Sequence, residues 1–395
     1  MPIGFHVRAP HPHEYEAVAR LASAVFSGKQ TQQTQSRLQR WAQRRQAPGF
    51  ALAQLRVGCL DDRIVSMARV TQHTLRYGKA SLRVAGIGDV CTHPKFRKRG
   101  YSEAVMHDAL TYVAERGAHL ALLRDTSHYY ARYGFYPIWP DYWLIFKAGD
   151  AAALIPQLTL RPIDAADSVA IADLYEKHWS GRVAFVRNDS ALWQWRIQHA
   201  NGLVALTPQG QLVGYLWQDL LRPEQVELVC DAAQAAQAFF AYTGRQYPAK
   251  TGLRWPVPPD DAVVAYMRNQ ISLQLSVHYR PEAGWMGRFI QARAVIEALL
   301  PELRQQMHSV SPNQATQPLD LQISVDPDKI HLHISTQAKA THHLALSHAQ
   351  FMQLLFGSLR PATLALQMPL DETETALLEA IFPARMAALG AWDWF

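Results

Sequence analysis

The chain has 395 residues, 18% of them charged and 49% hydrophobic, with a formal net charge of +6. That length predicts two or three domains with sizeable cores, and the composition is that of an ordinary globular protein. No apolar run reaches the length of a membrane span, and residues 1–10 lack the apolar stretch of a secretory signal.

The cysteines (Cys59, Cys91, Cys230) are odd in number and unclustered, which argues against zinc or a disulfide framework and for a reducing compartment, so the cytoplasm is the expected location. Residues 5–9 alternate as a short strand, and residues 11–26 form an amphipathic helix with Tyr15, Val18, Ala19 and Leu21 inward. Residues 31–46 follow as a second helix, its Arg37, Arg40, Arg44 and Arg45 interleaved with glutamines. A basic chain invites a nucleic-acid reading, but no zinc finger, aromatic pair of the RNA-binding kind or long basic arm accompanies these residues. No nucleic-acid partner is expected. Residues 51–60 and 64–71 read as strands joined by Asp61-Asp-Arg63, residues 75–80 as a turn, and residues 82–91 as a further strand.

That strand feeds Gly88-Asp-Val-Cys-Thr-His-Pro-Lys-Phe-Arg-Lys-Arg-Gly-Tyr-Ser102, the stretch around which the chain is organised. Pro94 stops the strand because it has no N–H to donate. Gly100 then lets the backbone approach a bulky ligand without a Cβ in the way. A helix starts at Tyr101, with Val105, Ala109 and Val113 repeating on one face. Its free N–H groups, its dipole and three basic side chains (Arg97, Lys98, Arg99) suit a phosphate or pyrophosphate. Neither a G-x-x-x-x-G-K-[ST] loop nor a G-x-G-x-x-G turn is present.

Arg97-Lys-Arg-Gly-Tyr-Ser102 instead resembles the [RQ]-x-x-G-x-[GA] turn with which GNAT acetyltransferases bind the pyrophosphate of acetyl-CoA, and Val90-Cys-Thr-His-Pro94 resembles their V-x-V-x-P strand. Thr92 departs from the second valine and Ser102 from the small third position. One strand later, Tyr129-Tyr-Ala-Arg-Tyr-Gly-Phe135 is similar to that family's [FY]-Y-x-x-x-G-F segment. The order of elements through residue 150 also matches a GNAT fold.

Residues 146–153 are mostly small, and residues 158–163 start afresh with a strand and helix that echo the first opening. Residues 151–285 are read as a degenerate GNAT-like unit: its turn, Cys230-Asp-Ala-Ala233, is acidic and would repel a pyrophosphate. Residues 286–395 hold a helix ended or kinked at Pro301, two alternating strands around Asp326-Pro-Asp328, and two further helices. This tail resembles a sterol-carrier-like domain, and the whole resembles the Eis-type (enhanced intracellular survival) acetyltransferases. The expected class is thus α/β: tandem GNAT-like folds followed by a sterol-carrier-like α/β domain. His331, His333, His342, His343 and His348 show no zinc spacing, so no metal is expected.

The resemblance implies an acetyl-CoA-dependent N-acetyltransferase. Backbone amides from Arg97 to Ser102, including Lys98, Arg99, Gly100 and Tyr101, would hold the pyrophosphate. Main-chain atoms of Val90, Cys91 and Thr92 would hold the pantetheine arm, with Thr126 as a further contact. Tyr130 would protonate the leaving thiolate, and the terminal carboxylate of Phe395 would accept the amine's proton. The acceptor implied is a primary amine on an aminoglycoside-like or polyamine-like molecule, or a lysine. A homo-oligomer, up to a hexamer, and no membrane partner are implied as well. Two alternatives stand beside this: a catalytically dead CoA sensor or scaffold, and a lipid or acyl carrier using the third domain.

Overall fold

The structure is a computed structural model that describes the chain except residues 1–2, 29, 126–127, 200, 220–221, 282, 310–318, 327–329, 336–339, 384–385 and 388–395. β1 (Phe5–Arg8) leads into α1 (Tyr15–Ser27) and α2 (Thr31–Gln46), then β2 (Leu55–Leu60), β3 (Arg63–Tyr77) and β4 (Ala80–Thr92). The expected turn at 75–80 shrinks to Gly78-Lys79, because Leu75 and Tyr77 are fully buried and keep β3 in the core to its end. Gly78 makes the reversal at φ 58°. α3 (Tyr101–Glu115), β5 (Leu120–Asp125), β6 (Tyr136–Trp139) and β7 (Asp141–Lys147) follow.

The second stretch runs α4 (Ala148–Ala152), β8 (Thr159–Pro162), α5 (Ser168–Trp179), β9 (Ala184–Phe185), α6 (Ser190–Gln198), β10 (Asn201–Leu206), β11 (Leu212–Asp219), β12 (Arg222–Cys230), α7 (Ala233–Arg245), β13 (Gly252–Trp255), α8 (Ala262–Met267), β14 (Gln274–His278) and β15 (Gly284–Phe289). The third runs α9 (Ala292–Ser309), β16 (Leu319–Asp326), β17 (Ile330–Ser335), β18 (Ala340–Ser347), α10 (His348–Leu355), α11 (Pro361–Leu364) and α12 (Glu372–Ile381). Pro301 does not end α9: Val295, Leu299 and Leu303 stay fully buried through it, so packing outweighs the lost backbone bond.

Strand pairing crosses the boundaries that the sequence suggests at 150 and 285. β7 lies between β13 and β14 in a sheet of the second unit, while β15 returns to the first sheet between β5 and β6. The return is driven by burial on both faces: Met286 joins the core under α3, and Trp285 the core on the other side. Gly287 leaves room for the Met352 side chain, since a Cβ would sit 2.9 Å from its sulfur. Local alternation cannot reveal such an exchange.

The two faces of the first sheet have different covers. Ala68, Val70, Ala85, Ile87, Ala121 and Leu123 pack under α3. On the opposite face, Val57, Cys59, Met67 and Cys91 pack under α1 and α2, while Leu75, Tyr77, Leu82 and Leu122 pack against α9 and α10. Between those two apolar clusters, Arg69, Thr71 and His73 form a polar row on β3. The core of the third stretch is therefore continuous with the first sheet, a union no local pattern announces.

Candidate active site

The basic turn is built by backbone conformation. Pro94–Phe96 forms a single tight helical turn, capped by His93 Nδ1, which accepts from the Lys95 N–H at 3.3 Å. Lys98 (φ 62°) and Gly100 (φ 80°) are both left-handed, and residues 97–100 are exposed. Left-handed residues set among ordinary ones are how successive backbone N–H groups gather into an anion-binding concavity. Gly100 is also the N-cap of α3, whose first N–H groups have no side-chain cap. Arg97 Nε donates to the Thr92 carbonyl at 3.3 Å, tying the turn to the end of β4.

A cleft of about 460 Å³ opens between this turn, the end of β4 and the tyrosine segment. Val90, Cys91, Thr92, Arg97, Lys98, Gly100, Tyr101, Ser102 and Tyr130 all line it. The Tyr101 ring is in the core, stacked on Phe5 at 4.4 Å, so what it offers the cleft is backbone. Arg99 is not among the lining residues; its guanidinium sits over the Phe96 ring, 5.6 Å from the centroid. Arg132, which the motifs did not single out, does line the cleft. Thr126 and Phe395 lie outside the described residues.

Both departures from the motif acquire a physical role. Thr92 Oγ1 lies 2.9 Å from Ser66 Oγ, which also donates to the Cys91 carbonyl at 3.0 Å. A valine could not make the first of these bonds. Ser102 Oγ accepts from the Tyr129 hydroxyl at 2.8 Å, and the Tyr129 and Tyr133 hydroxyls are 2.9 Å apart. The first turn of α3 is thereby fastened to the tyrosine segment. Burial and the bond with Tyr129 raise the Tyr133 phenol well above its ordinary range. Tyr130 is buried within this aromatic group, edge-on to Tyr129 at 5.1 Å.

The feature the sequence reading missed is a bulge in β4. Met67 pairs with Cys91 but Arg69 with Gly88, so β4 carries one extra residue there. Asp89 sits in it at φ 50°. Its carboxylate accepts from Arg69 Nε at 2.6 Å and from Arg44 Nη1 at 2.9 Å. Burial works to raise its pKa, but the two arginines outweigh burial and hold it far below the ordinary carboxylate range. Asp89 is therefore fixed as an ion on the face away from α3, and as so weak a base it is poorly suited to take a proton from an amine. Gly86 and Gly88, set inside an otherwise apolar strand, were the available signal.

Residues 6–138 match the model of the acetyltransferase (GNAT) domain. None of the curated proteins matches the sequence. Among solved structures, a GCN5-related N-acetyltransferase from Kribbella flavida covers 99% of this chain and 98% of its own at 17% identity, with a TM-score of 0.69. A probable N-acyltransferase from Enterococcus faecalis covers 99% and 100% at 15% identity, TM-score 0.70. Eis1 from Mycobacterium abscessus covers 98% and 99% at 16% identity, TM-score 0.62. The chain thus carries an acetyltransferase (GNAT) domain at residues 6–138. Over its whole length it shares the fold of Eis1 and of the other two proteins.

Proposed function

We propose that the protein transfers an acetyl group from acetyl-CoA to a primary amine, by direct attack of the amine on the thioester carbonyl. The observation that supports this most is the meeting, in one cleft, of the left-handed turn at Lys98–Gly100, the end of β4 and Tyr130. In this reading the N–H groups of residues 97–102 hold the pyrophosphate, with Arg97, Lys98 and Arg99 adding charge, and Val90–Thr92 hold the pantetheine arm through main-chain atoms. Acetyl-CoA supplies the activated acetyl group. The new C–N bond forms as the C–S bond breaks, and Tyr130 gives its proton to the leaving sulfur. The amine's proton is assigned to the terminal carboxylate of Phe395, as the resemblance to Eis-type enzymes implies, while Asp89 is locked by its arginines.

The acceptor is an amine of the aminoglycoside-like, polyamine-like or lysine kind. The protein is read as a cytoplasmic homo-oligomer whose third stretch is sterol-carrier-like, and the described residues hold neither a metal-ligand cluster nor a helix long and apolar enough to cross a membrane. The test pairs calorimetry with acetyl-CoA and thiol release across a panel of amines. Binding with turnover is expected. Tight binding without turnover points to the sensor, and lipid uptake without CoA binding to the carrier.

A further inference from the structure

A second, larger cavity of about 540 Å³ runs along residues 69–74 of β3, between the end of α2 and residues 185–196. It exists because the edge of β3 is left uncovered there. β2 pairs with β3 only as far as Arg69, β9 begins at Leu75, and among the described residues no strand pairs with that edge between them. Six arginines line the cavity: Arg44, Arg69, Arg83, Arg116, Arg187 and Arg196. Asp189 is the one carboxylate among the described lining residues, and it is occupied in capping α6, accepting from the N–H groups of Ala191 and Leu192 at 2.9 and 3.2 Å.

The acids behind the wall cancel this charge only in part. Asp89 is shared by Arg44 and Arg69, one carboxylate between two guanidiniums. Glu227 is taken by both Nη atoms of Arg187, at 2.7 and 2.9 Å, and by the Tyr215 hydroxyl at 2.9 Å. His73 feels the result: burial, then Arg196, Arg69 and Arg187, push its pKa down to about 3. Arg44 is itself lowered to about 10, by burial and then by Arg69.

The cavity shares no described lining residue with the cofactor cleft but adjoins it through β4. Arg44 and Arg69 line it and grip Asp89, and the next residue, Val90, lines the cofactor cleft. From Arg69 to His73 the strand covers about 13 Å, room for a small extended molecule.

We propose that this cavity is the acceptor pocket, and that the acceptor is a primary amine whose far end is an anion, a carboxylate or a phosphate, rather than a polycation. The proposal rests on the acetyltransferase reading above and departs from its polycationic acceptors, keeping only the primary amine. Guanidiniums present paired donors that fit a pair of oxygens on either anion, and each charge-assisted bond is stronger than a neutral one. A molecule carrying several ammonium groups meets like charge on several walls, a juxtaposition that works strongly against binding.

The test compares aminohexanoate, aminohexyl phosphate, diaminohexane and kanamycin as acceptors for the intact protein with acetyl-CoA, reading thiol release. One or both anion-ended amines should show kcat/KM at least about tenfold above the diamine and kanamycin, and the carboxylate and phosphate arms say which anion is preferred. Arg196→Gln should raise KM for the preferred acceptor about tenfold with acetyl-CoA affinity unchanged, and Arg196→Lys should recover part of it. Calorimetry with glutarate and inorganic phosphate, without acetyl-CoA, keeps the question open to measurement if the variant does not fold or no amine is acetylated. Wild-type anion binding with no turnover sustains the anion pocket and sinks only the transferase reading. Equal or better turnover of the diamine or kanamycin, or no binding of either anion, overturns the proposal.

Discussion

Arg69 on β3 donates to Asp89 on β4 at 2.6 Å, at the point where the ladder between those strands slips by one residue. Ile87 packs under α3 whereas Asp89, two residues later, faces α2, an inversion possible only because the bulge absorbs a residue. The pair closes the polar row of the arginine-lined cavity on one side and adjoins the cofactor cleft on the other. Asp89→Asn removes the only charge that Arg44 and Arg69 share in the described structure. With the Asp89 side chain 11% exposed, the expected loss is about 3 kcal/mol, the low end for breaking a buried pair. Denaturant unfolding measures it; an unchanged midpoint would show that the bulge does not depend on the ion pair.

Gly100 adopts φ 80° at the head of α3. Valine there is strained and puts a branched side chain where the proposed reading places the pyrophosphate, so acetyl-CoA affinity should fall at least about tenfold while the fold survives. Arg97→Gln should weaken the same binding more at low salt than at high salt. Undiminished affinity in a folded Gly100→Val protein would remove this turn from the cofactor site.

Tyr130 lines the cleft from within a packed aromatic group. Tyr130→Phe keeps the ring and its contacts and takes away the proton. Turnover should drop by about 10²–10⁴-fold with acetyl-CoA binding preserved. Full kcat in this variant would leave Tyr130 as packing only.

The role given to the Phe395 carboxylate makes a separate prediction. Appending two residues moves the carboxylate without altering the side chain. Acetyl-CoA should still bind and the melting temperature should hardly move, while turnover collapses. An extended protein of undiminished activity would assign the proton to another group.

His73 gives a pH signature. Unfolded, it titrates near 6.5; folded, burial and the surrounding arginines bring it to about 3. Between those values the unfolded chain binds a proton that the folded chain does not, so stability rises with pH across that window, by at most about 1.4 kcal/mol per pH unit. Glu14, held at about 2 by its bond from Arg8, adds in the same direction at the acid end. His73→Gln should therefore gain stability over the wild type at about pH 5 relative to about pH 7.5. A melting-temperature difference that is the same at both would contradict the neutral buried histidine.

How much of this was legible is clearest residue by residue. Pro94, Gly100 and the spacing from Val90 to Ser102 announced a strand, a turn and a helix start, because each is a local demand on φ, on a missing N–H or on a missing Cβ. The tyrosine segment was legible for the same reason, and the structure brings it to the same cleft. Ser102 departs from the family's turn, and its bond with Tyr129 is a tertiary contact that the motif does not encode.

What the chain alone determined was its local grammar: where elements begin, which faces are apolar, and where the backbone turns tightly ahead of α3. The tertiary structure alone decided the exchange of β7 and β15 between sheets, the bulge that turns Asp89 toward Arg44 and Arg69, and the gathering of arginines from four elements and two loops around one cavity. Arg69 and Arg187 are 118 positions apart in the sequence and line the same cavity. Periodicity reports only a residue's neighbours along its own helix or strand, whereas charge acts through space. The charge that lines this cavity was therefore settled only when the chain folded.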